Sequence, residues 1–152
     1  MLFRIIPFVV LLMLTACGAS EFPESSEKVL EPVEVTHIET SITEPKNVIV
    51  NDQRAWVELW ADHVHYLTPA PELPVVDFSK NMVVGIFLGA TPNGCYSMSI
   101  LSIVETSTQL VIKYKVNSPA KDAICTQVIV YQSKLLLLPK TSTTITFINE
   151  TK

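Results

Sequence analysis

Met82-Val83-Val84-Gly85-Ile86-Phe87-Leu88 is a run of seven residues without one charged or polar side chain. A β-branched run of this length reads as a central strand covered on both faces. Downstream, Gly89-Ala-Thr-Pro-Asn-Gly-Cys-Tyr96 breaks the run, and its Asn93-Gly94 pair is a hairpin signal, because both residues accept positive φ. Tyr96–Glu105 is then the returning strand. Gln109–Val116 alternates, with Leu110, Ile112, Tyr114 and Val116 on one face and Lys113 and Lys115 on the other. Ile124–Tyr131, Lys134–Leu138 and Thr143–Ile148 read as further strands.

Upstream of the run the period changes. In Asn51-Asp-Gln-Arg-Ala-Trp-Val-Glu-Leu-Trp-Ala-Asp-His63, the residues Ala55, Trp56, Leu59, Trp60 and His63 fall on one helical stripe. Asn51 or Asp52 is placed to cap that helix. Thr68-Pro-Ala-Pro-Glu-Leu-Pro74 is an extended loop, since its prolines forbid helix and ladder alike. Val33–Ile42 alternates with the period of a half-buried strand. After residue 66 no strand–helix alternation occurs, and short connections pair strands antiparallel. The fold class is α+β: a curved, mainly antiparallel sheet, closing towards a barrel or sandwich, with one packed amphipathic helix.

The N-terminus reads as an export signal. Arg4 precedes the apolar run Ile5–Leu14, which Pro7 interrupts and which falls short of the roughly 20 residues a membrane span needs. Leu14-Thr15-Ala16-Cys17 resembles the bacterial lipobox, in which the signal is cut before the cysteine and its thiol takes a diacylglycerol. On that reading residues 1–16 are a signal peptide and Cys17 is the lipidated, palmitate-type anchor. Several acyl chains together hold a protein stably to a bilayer. Residues 17–32 become an acidic tether and 33–152 a single domain, in a bacterial cell envelope (the outer membrane, if the cell has two).

Charge is concentrated near the anchor. Residues 21–44 carry seven glutamates and only Lys28 in return, whereas 45–152 are close to neutral. The polar, proline-broken tether buries too little apolar surface to offset its ordering entropy. No stripe of Lys and Arg with interleaved aromatics appears, so nucleic-acid binding is disfavoured.

Three readings are open for Cys95: nucleophile on a tight loop, metal ligand, or half of a disulfide. Export puts Cys95 and Cys125 where disulfides persist, and with Cys17 lipidated an even pair remains. A catalytic thiol would need a base that lowers its pKa, and none of the three histidines stands in a nucleophile motif. Asp62-His63-Val64-His65 is the best metal-like cluster, but at a helix end its imidazoles diverge. It reads instead as a solvated terminus complementing the helix dipole. Ser97 and Ser99 lack a Gly-x-Ser-x-Gly elbow. Gly89 and Gly94 have the spacing of a phosphate loop without the Lys-Ser/Thr that must follow. No catalytic residue, metal site or cofactor is expected.

Residues 54–148 resemble the PrcB-like domain, a family named for a subunit of a bacterial surface protease complex. The resemblance runs through Trp56 and Leu59, then Val76-Asp-Phe-Ser-Lys80 and Val83-Val-Gly-Ile-Phe-Leu-Gly89. It continues with Asn93-Gly-Cys-Tyr-Ser97, Gln127-Val-Ile-Val-Tyr131 and Leu135-Leu-Leu-Leu-Pro-Lys140. Where that family commonly has Gly-Gly-Tyr, this chain has Gly94-Cys95-Tyr96, which suggests an added cysteine paired with Cys125. The resemblance implies a non-catalytic accessory or assembly role, with an envelope protein or protease as partner. A glycan or small molecule stacking in a cleft between helix and sheet is the alternative. The candidate contact residues are Trp56, Trp60, Asn93 and Tyr96.

Overall fold

A computed structural model describes residues 27–151. Its elements are β1 (Lys28–Val29), β2 (Val33–Glu34), β3 (Lys46–Val50), α1 (Gln53–His63), β4 (Asn81–Thr91), β5 (Ser97–Glu105), β6 (Gln109–Asn117), β7 (Val130–Pro139) and β8 (Thr144–Asn149). They make two four-stranded sheets, ordered β1-β5-β6-β8 and β2-β7-β4-β3.

The seven-residue apolar run explains the layering. It lies in β4, between β7 and β3, and its side chains alternate between two cores. Met82, Val84 and Ile86 join Leu110, Ile112, Leu136 and Leu138 between the sheets. Val83 and Phe87 join Leu135 and the helix residues Trp56, Leu59 and Trp60 on the outer face of the second sheet. The molecule is thus a sheet, a second sheet and a helix stacked in that order. Among the described residues this is the mainly antiparallel, one-helix α+β architecture, in its sandwich form and without barrel closure.

Helix α1 forms where its period and cap lie. The Asp52 side chain accepts from the Ala55 amide at 2.9 Å, and Trp56, Leu59, Trp60 and His63 are buried at i, i+3, i+4 and i+7. The proline-rich loop gives its carbonyls to the two indoles: Trp56 Nε1 donates to Pro74 O at 2.9 Å and Trp60 Nε1 to Pro71 O at 3.2 Å.

Several sequence expectations are corrected. Val33–Ile42 is a strand only at Val33–Glu34. Beyond it the Thr36 and Thr40 hydroxyls accept the amides of Ile38 and Ile42, a local bonding that competes with a ladder. β3 was not legible in the sequence, because its five residues hold only three apolar ones. Within the stretch read as tether, Lys28–Val29 pairs with Val104–Glu105 and Leu30 is buried. The Asn93-Gly94 hairpin does not form. β4 and β5 lie in different sheets, no non-glycine residue has positive φ, and Gly89 is the only glycine that does among the described residues. Ile124–Tyr131 is a loop up to Ile129, because β4 offers it no partner before Val130, which pairs with Thr91. Last, β8 lies parallel to β6: the chain between them builds β7 in the opposite sheet, and that long connection permits the crossover. Residues 1–26, with the signal-peptide reading and Cys17, lie outside the described residues.

Candidate functional site

Two loops meet at one end of the sandwich: 92–96, between β4 and β5, and 118–129, between β6 and β7. Their approach begins with a bulge. Phe87 pairs with Ser133 and Ala90 with Tyr131, so Leu88 and Gly89 oppose Gln132 alone. Gly89 has φ 73, and a Cβ there would stand 3.0 Å from Pro45 Cδ and 3.1 Å from Thr43 O. Only glycine takes this position without strain. The bulge re-aims the end of β4, and the buried Thr91 hydroxyl donates to Val130 O at 2.8 Å, tying the roots of the two loops together.

The tips are joined by the Cys95–Cys125 disulfide, with Cα atoms 5.6 Å apart. Around it the Cys95 amide donates to Asn93 Oδ1 at 3.0 Å, and Gly94 N donates to Thr126 O at 3.4 Å. A Cβ on Gly94 would fall 2.6 Å from Thr126 Oγ1, so the close approach of the loops needs glycine at this position. Asn117 Nδ2 donates to Ser97 Oγ at 3.2 Å and Ser99 Oγ at 2.8 Å, bracing the adjoining ends of β5 and β6.

The result is a fixed loop with an apolar surface. Ile124 is 101% exposed, and Val128 and Ile129 are largely exposed too. Three large aliphatic side chains thus stand exposed on the 118–129 loop. The β-branched run that made Ile124–Tyr131 read as a strand was the only sequence sign of them.

The candidate residues separate accordingly. Cys95 and Cys125 are brought together as a disulfide, which removes both as nucleophile or metal ligand. Asn93 serves the turn through its Oδ1, and Tyr96 is half-buried beside the disulfide. Trp56 is 0% exposed and Trp60 nearly so. Their ring centroids lie 5.5 Å apart in the helix–sheet core. That burial withdraws them from any stacking cleft, because a ring needs an open face to receive a ligand.

His63 is also corrected. It is not a solvated terminus: its ring is wholly buried against Trp60 and Phe87, and neither nitrogen has a hydrogen-bond partner. Burial lowers its pKa from the ordinary histidine value. His65 remains outside, edge-on to Tyr66. Among the described residues no group of three or more His, Cys, Asp or Glu is arranged to hold a metal.

No significant match was found to a curated protein or to a solved structure. Residues 82–133 match the family described as PrcB C-terminal. The match runs from the start of the apolar run in β4 to Ser133 in β7, taking in both loops and both cysteines. At its centre, the chain therefore carries a PrcB C-terminal-like segment, and the stapled loops fall inside it.

Proposed function

We propose that this protein is a lipid-anchored envelope module without catalytic activity, and that it engages a partner protein through its stapled loops, as an accessory to a protease or another envelope complex. The observation that carries the reading is the exposure of Ile124, Val128 and Ile129 on a loop that a disulfide holds rigid. Such a surface gains apolar burial on contact and has little ordering entropy left to lose. The PrcB C-terminal match over the same segment supports the accessory role.

Chain polarity supports it further. Lys28 pairs with Glu105 at one end of β5, whereas Ser97 pairs with Asn117 at the other, beside the disulfide. At about 3.3 Å per residue, the eight steps of β5 span about 26 Å between those ends. A chain tethered through Cys17 thus presents its stapled loops on the side away from the tether.

The test is a photo-crosslinking residue at position 124 in intact cells, with and without Val128→Asp. One dominant adduct, lost in the variant, is expected. Recovery of lipoprotein-processing machinery alone, or of the same adduct from a probe on α1 at Val57, overturns the reading. Metabolic labelling with a fatty-acid analogue tests the anchor separately, and label retained in Cys17→Ser refutes it.

A further inference from the structure

A second surface lies along the open seam between the sheets. Three connected hollows of about 170, 360 and 290 Å³ follow the outer edge of β5. The first two share Glu34, Met98 and Lys134, and the last two share Pro32 and Ile100. One end of this edge is filled by the chain itself: β1 pairs with Val104–Glu105, and Leu30 N donates to Ile103 O. Pro32 has no N–H to continue that ladder, and the chain leaves β5 to pair with β7 at Val33. From Ser97 to Ile100 no strand of the described residues lies beside β5 on this side.

The lining is charged unequally. Lys134 is committed to Glu34 at 2.7 Å, with the two side chains 27% and 23% exposed. Glu31 and Glu39, also on the rim, make no ion pair among the described residues. The groove therefore combines an unpaired strand edge, an apolar floor that includes Met98 and Ile100, and a net negative rim.

We propose that this groove takes an extended segment of another protein bearing lysine or arginine, which adds to β5 at Ser97–Ile100 in line with β1. Main-chain hydrogen bonds to the vacant edge supply affinity, alternate apolar residues fill the floor, and the cationic side chains meet Glu31 and Glu39. The chain's own β1 shows that β5 accepts a strand on this edge. The acidic rim selects a cationic occupant over an acidic one. The groove is a different surface from the stapled loops, so each proposal stands or falls without the other.

The probe is a ten-residue peptide alternating valine and threonine with two lysines, titrated into the purified chain while backbone amide NMR shifts are followed. Shifts centred on Ser97–Ile100 are expected. Binding should weaken at least tenfold when the lysines become glutamates, when alternate peptide amides are N-methylated, or in Glu31→Lys/Glu39→Lys. Both variant sites are exposed, and the amide spectrum verifies the fold. The proposal is overturned by absence of binding, by affinity unchanged on N-methylation, by shifts on β8 instead, or by concentration-dependent shifts at Ser97–Ile100 without peptide, which would make the occupant a second copy of this chain.

Discussion

His63 is the residue whose setting departs furthest from its sequence context. Asp62-His63-Val64-His65 looks like a polar helix end, yet the two-residue step sends one imidazole into the aromatic core and leaves the other in solvent. Each buried nitrogen lacks a partner, so a proton on His63 would place an uncompensated cation beside Trp60 and Phe87. The folded-state pKa is therefore depressed, while the unfolded chain protonates near the ordinary value of about 6.5. Between those two values the unfolded state binds more protons. Stability contributed by neutral His63 is full above about pH 6.5 and falls as the pH drops below it. Urea unfolding from pH 7.5 to 5 will show this decline in the native chain and a flatter profile in His63→Phe. Equal slopes would refute the assignment.

At the scale of elements, the disulfide fixes two loops that have no ladder of their own. Closing a loop of 30 residues restricts the unfolded chain by about 3 to 4 kcal/mol on the chain-entropy account. The double variant Cys95→Ser/Cys125→Ser should lose about that much in chemical denaturation, with its far-ultraviolet circular dichroism nearly unchanged, because Thr91 and Val130 still join the strand ends. Titration of the unfolded, unreduced chain should find neither thiol free, and two free thiols would refute the bridge. Asn93-Gly94 shows why this element was misread. The pair's conformational freedom signals a turn but does not name the strands the turn connects. Here Asn93 caps a local amide, while Gly94 admits Thr126 from the other loop.

For the whole molecule, the decisive feature is that β4 is buried on both faces and links the two cores. Trp56 anchors the outer one, fully enclosed and hydrogen-bonded to Pro74 O. Trp56→Ala should cost about 3 to 5 kcal/mol, read as a lowered urea midpoint at an unchanged m value. A cost under about 1 kcal/mol would mean that the helix layer is not part of the cooperative unit. The parallel β6–β8 pair belongs to this scale too, since it exists only because the intervening strand crossed to the other sheet.

The sequence by itself determined the elements whose period or cap is local: α1 from its tryptophan stripe and Asp52, β4 from its apolar run, and β6 from its alternation. It also carried the two cysteines whose even count and proposed export pointed to a bridge. Tertiary structure alone decided which strands pair, where Ile124 points, and that both His63 nitrogens are enclosed without a partner. Those outcomes depend on contacts between residues far apart in the chain, and periodicity reports a side chain's face without reporting what lies opposite it.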